Sequence, residues 1–395
     1  MILKNISLLY GNDLKFIEST NIKITDQKFQ KFNQKINSSK EKTFDCNELL
    51  LIPGLINSHT HIGDSIGKDI SLNSAVDARI HPVSGIKQKI LTETPKKDLV
   101  RFMRKSAISM LKKGITTFVD FREGGIIGIQ LLRQALKGLP IRVVILGRLD
   151  YYQTTNEIKK NTSMPKFYQT ELELLLRNCD GVVISGANEN SNSILHTYSK
   201  IKKLRAIHSA ETLESYSLSK KNSGKTEPNR ALLAKPTFLV HMTFASKSDL
   251  RQVSKKTRGI VICPRANAAL AEGIPDIELM EKMKCNLAIG TDNIMINSPD
   301  LFREMDYLWK VSMGMHKKRI NPKKILKMTT VNAGKMLSQK IGSIREGFLA
   351  DCIFLKKQSL DLDPINNPYA TVVHRVTENS IKAVMIGGKF VYGKI

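Results

Sequence analysis

The feature that most limits how this chain can fold is an alternation repeated eight times. A short, almost unbroken aliphatic run is followed by a stretch with helical apolar spacing. The runs are Leu50–Asn57, Ile115–Asp120, Ile141–Gly147, Gly181–Ser185, Leu204–His208, Thr237–His241, Gly259–Cys263 and Asn286–Thr291. A strand with one wet face alternates apolar and polar residues. These runs do not, so they fit a parallel sheet covered on both faces. The stretches between carry helix-boundary signals. Thr94-Pro95 opens one in which Leu99, Phe102, Met103, Met110 and Leu111 recur up to Gly114, and Asn321-Pro322 opens another. Eight such units predict an α/β fold, a TIM-type (β/α)8 barrel with its sites at the C-terminal strand ends.

The two ends of the chain read differently. Ile22–Thr25, Cys352–Leu355 and Ala383–Val391 are short β-rich stretches separated by Gly342, Gly347 and Gly387-Gly388, a hairpin pattern. The expected organisation is a small composite β-sandwich domain from residues 1–50 plus 343–395, and a barrel over 51–342.

Composition narrows the partners. The 62 Lys and Arg exceed the 36 Asp and Glu to give a net charge of +26, which attracts polyanions. The lysines are scattered, however, and form no stripe, tail or aromatic-interleaved run, so nucleic acid is disfavoured. An anionic small substrate remains compatible. The five cysteines are widely spaced with no C-x-x-C, which argues against disulfides and a thiolate zinc site. No apolar run approaches the ~20 residues of a membrane helix, and the first ten residues lack the order of a signal peptide. A cytoplasmic protein without a membrane partner is expected.

The chemistry is read from the histidines. His59 and His61 follow the first run, His208 ends the fifth, His241 ends the sixth, and the eighth closes on Gly290-Thr291-Asp292. Residues two apart in a strand share a face, so His59 and His61 both point into the barrel mouth. Singly these are weak signals, since an isolated strand-end histidine is commonly a satisfied polar residue and Asp292 also reads as a helix cap. Jointly they place three or four imidazoles and a carboxylate at one end of one barrel. That is a ligand set for a zinc- or iron-like ion with a position open to water.

Pro53-Gly-Leu-Ile-Asn-Ser-His-Thr-His61, Ile207-His-Ser-Ala-Glu211, Leu239-Val-His241 and Ile289-Gly-Thr-Asp292 resemble the amidohydrolase superfamily. The resemblance is strongest to its cytosine deaminase, guanine deaminase and triazine (atrazine) hydrolase group. The tail from Gly342 through Asp351 to Tyr392 is similar to that family's closing β segment. The resemblance implies a divalent metal ion, zinc ahead of iron, held by His59, His61, His208 and Asp292. It implies Glu211 as proton shuttle, His241 orienting the hydroxide and substrate, and Asp292 also accepting a proton. Taken alone, Glu211 also reads as a first-turn helix carboxylate. Binuclear members carry a lysine ending the fourth strand. Here that stretch reads Gly181-Val-Val-Ile-Ser-Gly-Ala-Asn188, which favours one ion.

The expected activity is therefore deamination of an N-heterocyclic small molecule by a metal-bound hydroxide. Alternatives at the same site are displacement of chloride or alkylamine, or opening of an amidine or cyclic amide. A catalytically silent, basic polyanion-binding or assembly protein is the reading from another class. Arg148, Arg265 and Asn267 lie near strand ends and are candidate substrate contacts, the arginines suiting an anionic group. Arg122 and Asn188 occupy similar positions. Arg79 and His81 belong to an insertion expected over the mouth. Met295 and Met305 read as core. The resemblance leaves homo-oligomerisation open.

Overall fold

A computed structural model of the chain describes residues 1–33, 36, 41–70 and 85–395. Its larger unit is a parallel sheet whose strands are hydrogen-bonded in chain order: Leu55–His61, Ile115–Arg122, Arg142–Gly147, Gly181–Ile184, Leu204–Ser209, Phe238–His241, Gly259–Ile262 and Leu287–Ile289. Burial follows strand parity. In the second strand every residue is buried, with Val119 and Phe121 turned into the barrel among Val144, Leu146, Val183, Phe238 and Val261. Phe118, the residue before Val119, faces outward into the layer under the helices. Both faces are dry, as the unbroken aliphatic runs require.

The barrel closes by an exchange of partners within the eighth strand. Leu287–Ile289 pairs with the seventh strand, and Asp292–Asn293 pairs in parallel with Thr60 and His61 of the first. At the crossover, Gly290 N donates to Ile262 O (3.0 Å) and Thr291 N to His59 O (3.1 Å). Asn57 locks the joint from inside. Its Nδ2 donates to Thr291 Oγ1 (2.7 Å), and its Oδ1 accepts from Thr291 N (3.0 Å). A Cβ at Gly290 would lie 2.6 Å from His59 Cβ and 2.8 Å from His59 N, so only glycine lets these backbones approach.

The second unit is an eight-stranded sheet made from both ends of the chain. Its main path runs Lys389–Gly393, Ile381–Ile386, Cys352–Lys356, Leu49–Pro53, Ile2–Tyr10, Lys15–Thr25 and Lys28–Phe32, with Thr43–Asp45 beside Ile2–Tyr10. It has its own core of Leu3, Leu8, Ile22, Phe29, Leu51 and Phe354. Arg142 of the barrel reaches buried Asp351 with two hydrogen bonds, 2.7 and 3.2 Å, the two-point geometry that suits guanidinium and carboxylate.

One sequence expectation needs correction. Leu50–Asn57 is not one strand. Leu49–Pro53 pairs antiparallel with Cys352–Lys356 in the terminal sheet, and the barrel strand starts at Leu55. The break is at Gly54, whose N–H goes to Asp351 O while that of Leu55 goes to Gly114 O. A Cβ on Gly54 would lie 2.4 Å from Thr116 Oγ1. The 50/51 boundary thus falls inside a strand of the terminal sheet.

The helix signals map closely. Lys96–Lys112 follows Pro95 and ends before Gly114 at φ +75°, and Asn321 caps Pro322–Met328 by accepting from Lys323 N. No helix among the described residues is long and apolar enough to cross a membrane. Because Gly290 has no room for a methyl group, Gly290→Ala should destabilise the protein by about 1–3 kcal/mol. Urea unfolding measures this, and an unchanged midpoint would show that the crossover has slack.

Candidate active site

At the C-terminal mouth the histidines converge. The ring of His59 is centred 4.8 Å from that of His61, 5.1 Å from His208 and 6.0 Å from His241. Asp292 Oδ1 sits 3.1 Å from His59 Nε2 and 3.6 Å from His61 Nε2. Donor atoms of His59, His61 and His208 lie within 4.8 Å of one another, as do those of Glu211, His241 and Asp292. His241 and Asp292 both hold left-handed backbone, φ 69° and 59°, a strain of about 1–3 kcal/mol each that persists only where surroundings over-determine it.

Three of the rings are aimed by a partner behind them. His208 Nδ1 donates to Ser185 O (3.0 Å), His61 Nδ1 to Glu123 Oε1 (2.6 Å) and His241 Nδ1 to Asn267 Oδ1 (3.1 Å). Asn267 is itself oriented, its Nδ2 donating to Thr243 Oγ1 (2.8 Å). Such acceptors place the proton on Nδ1 and turn the Nε2 lone pair to the centre. Burial pushes His59 down to about 3 and His208 well below its ordinary value, so both rings are neutral.

These residues fit a divalent cation. With Nδ1 turned to Glu123, His61 points Nε2 at Asp292 Oδ1 from 3.6 Å, and a cation between those two atoms suits both. His59 Nδ1 is buried without a hydrogen-bond partner. The donors are nitrogen and oxygen, the set zinc accepts. Cys263 also borders His59 and Asp292, but burial raises its thiol well above the ordinary range, so it offers no thiolate.

Two carboxylates here are set to opposite states. Burial raises Glu211, and the charge of Asp292 pushes it the same way. Burial also acts on Asp292, but the hydrogen bond from His59 and the neighbouring imidazoles hold it well below the usual carboxylate range. Glu211 Oε2 is 3.4 Å from His241 Nε2. One group that can carry a proton beside one that stays ionised is an acid–base pair.

The cavity in front has a volume of about 900 Å³, its open mouth included, and is bordered by Lys87, Arg148, Glu189, Glu227 and by His61, His208 and His241. Among the residues expected to touch substrate, Arg148 is at this wall, with Nε buried and unpartnered and the guanidinium 5.8 Å from the Tyr152 ring. Arg265 and Asn267 are not brought to the cavity. Arg265 pairs with Glu304 (3.3 Å) and Asn297 (3.2 Å), and Asn267 stands behind His241. Arg122 is buried beside Glu123, and Asn188 donates to Ser215 O. Arg79 and His81 lie outside the described residues. Met295 and Met305 are buried in the core.

Sequence reasoning missed Lys87, Glu123 and Glu227. Glu123 directly follows the second strand, a position that could have flagged it. Lys87 and Glu227 lie on helices with no pattern to mark them. Glu227 is anchored by Ala210 N (2.8 Å) and Ser215 Oγ (2.9 Å), and burial raises it to about 7.

A (β/α)8 barrel with imidazoles and an ionised aspartate gathered at its mouth defines a metal-dependent hydrolase. The chain belongs to the amidohydrolase family, whose model matches residues 50–391. A Methanothermobacter thermautotrophicus protein provisionally named an aminohydrolase is 35% identical over 99% of each chain. The 5-methylthioadenosine/S-adenosylhomocysteine deaminase of Pyrococcus furiosus is 26% identical over 99% of this chain and 94% of its own. The crystal structure of guanine deaminase from C. acetobutylicum, with guanine in its active site, superposes with a TM-score of 0.83 at 17% identity, covering 99% of each chain. That last likeness is one of fold.

If the rings gather around a metal, His208→Ala should leave a folded barrel that purifies with little bound metal. Elemental analysis beside circular dichroism tests this, and a full equivalent of metal in the variant would remove His208 from the set.

Proposed function

We propose that this hydrolase is a mononuclear aminohydrolase that releases ammonia from an exocyclic amine of an N-heterocyclic small molecule. His59, His61, His208 and Asp292 would hold one divalent ion, with zinc favoured over iron. When bound, such an ion supplies Lewis acidity that lowers the pKa of water toward neutrality. The observation that carries the reading is Glu211, raised and within reach of both His241 and the ionised Asp292.

Glu211 takes the proton from the attacking water and passes it to a ring nitrogen, which draws electron density from the carbon under attack. A carboxyl raised toward neutrality serves both directions of that transfer. His241, its Nδ1 tied to Asn267, presents Nε2 to the same space and shares the proton of Glu211. Asp292 remains the base for the second proton, which leaves with the amine as ammonia. Arg148, at the cavity wall with Nε unpartnered, would meet an anionic or acceptor group of the substrate.

The names of the Methanothermobacter and Pyrococcus relatives support an amine as leaving group and a purine-type ring as the first class to try. All five cysteines are buried and free, which supports a reducing, cytoplasmic setting. Ammonia release from a panel of purine nucleosides, free purines, pyrimidines, pterins and triazines tests the reading directly. Turnover of triazines alone, without ammonia, would move it to halide or alkylamine displacement. Glu211→Gln should keep its metal and lose about 10²- to 10⁴-fold in kcat. Activity near the wild-type level would take the shuttle role from Glu211. Prolonged dialysis against a chelator should abolish turnover, and added zinc should restore it. Full activity in a metal-free preparation would end the metal reading.

A further inference from the structure

On the reading of His61 as a metal ligand, we propose that Glu123 positions His61 and that Lys87 holds Glu123 in place. One carboxylate oxygen, Glu123 Oε1, accepts from His61 Nδ1 at 2.6 Å and from Lys87 Nζ at 2.6 Å. All three side chains are buried, at 7%, 2% and 7% relative exposure for His61, Glu123 and Lys87. Lys87 is the one buried residue of the helix Ile86–Glu93. A lysine is almost never buried unless paired, and its partner here is the carboxylate behind a candidate ligand.

The second oxygen explains why the lysine matters. Glu123 Oε2 is buried without a hydrogen bond, with Arg122 Nη2 3.7 Å away. With Lys87 present, the carboxylate is drawn to the His61 side. With Lys87 gone, Arg122 is the cation that Glu123 keeps in reach among the described residues, through Oε2 rather than the Oε1 that His61 uses, and the carboxylate is free to turn away from the imidazole. His61 then loses the acceptor that fixes its tautomer, its ring angle and the basicity of Nε2. Neither Glu123 nor Lys87 carries a proton in the reaction above, so both act through His61.

The test is zinc affinity by competition with a chromophoric chelator, together with the visible spectrum of the cobalt-substituted protein. Glu123→Gln should weaken zinc binding about 10- to 100-fold, the range typical for losing such an outer partner. Lys87→Met should weaken it in the same direction, and the double variant should be no worse than Glu123→Gln, because both act on one contact. The cobalt ligand-field bands should shift in each variant, which a loss of general stability would not cause. Thermal melting of the metal-free forms separates unfolding from ligand loss, and Lys87→Met carries the test if Glu123→Gln does not fold. Folded variants with wild-type zinc affinity and cobalt spectra would overturn the proposal. A Lys87→Met protein that melts earlier but binds zinc normally would reduce Lys87 to a structural role and overturn that half. If the wild type itself takes up no zinc or cobalt, the ligand reading of His61 falls as well.

Discussion

The eighth strand changes partner at Gly290-Thr291, and the site depends on that exchange. Up to Ile289 it belongs to the seventh strand; from Asp292 it belongs to the first. Because Gly290 lacks a Cβ, the backbone passes directly against His59. The next residue able to present a side chain inward is Asp292, now opposite Thr60 and in reach of both His59 and His61. Two hydrogen bonds between Asn57 and Thr291, fully buried, fix the joint. Residues far apart in sequence therefore meet to within about a hydrogen-bond length, with little freedom to drift. The left-handed φ of Asp292 is a local consequence of the same geometry.

Electrostatics inside the mouth run against the charge of the whole chain. The net balance is +26, yet the described wall of the cavity carries Glu123, Glu189, Glu211, Glu227 and Asp292 beside Lys87 and Arg148. The outer charge is spread over many solvated lysines, where each interacts weakly and is screened. The inner charges are few, buried and close, so they set one another's protonation. Asp292 stays ionised because imidazoles face it, and Glu211 is raised because burial and Asp292 both oppose its charge. Two neighbouring carboxylates are thereby held in opposite states, one able to keep a proton and one charged.

How far the sequence foretold this depends on which physical signal each residue leaves. Strands buried on both faces write an unbroken aliphatic run, so the barrel was legible from that pattern alone. The same signal misread Leu50–Asn57, because a run buried in the terminal sheet looks like one buried in the barrel; only the Pro53-Gly54 break separated them. His59, His61, His208, His241 and Asp292 were legible because strand parity and strand ends dictate direction. Arg265 and Asn267 follow a strand end too, but the seventh strand stops at Ile262 and a helix begins at Pro264. The turn carries both side chains behind the wall. Lys87 and Glu123 left no periodic mark at all, since an ion pair between a helix and a distant strand end is a property of the packed fold.

The residues behind the histidines carry a further consequence. Ser185 O, Glu123 and Asn267 come from the ends of the fourth and second strands and from the helix after the seventh, while the rings they orient stand on the fifth, first and sixth. Each of these three rings is thus aimed by an element other than its own. A shift of any one strand would misplace a ring and its acceptor by different amounts, so the geometry holds only while the barrel is whole. Buried hydrogen bonds of this kind contribute modestly to net stability, yet leaving one unmade costs about 1–3 kcal/mol. That asymmetry favours the single arrangement in which every oriented Nε2 faces the same centre, and it ties the chemistry of the mouth to closure of the sheet beneath it.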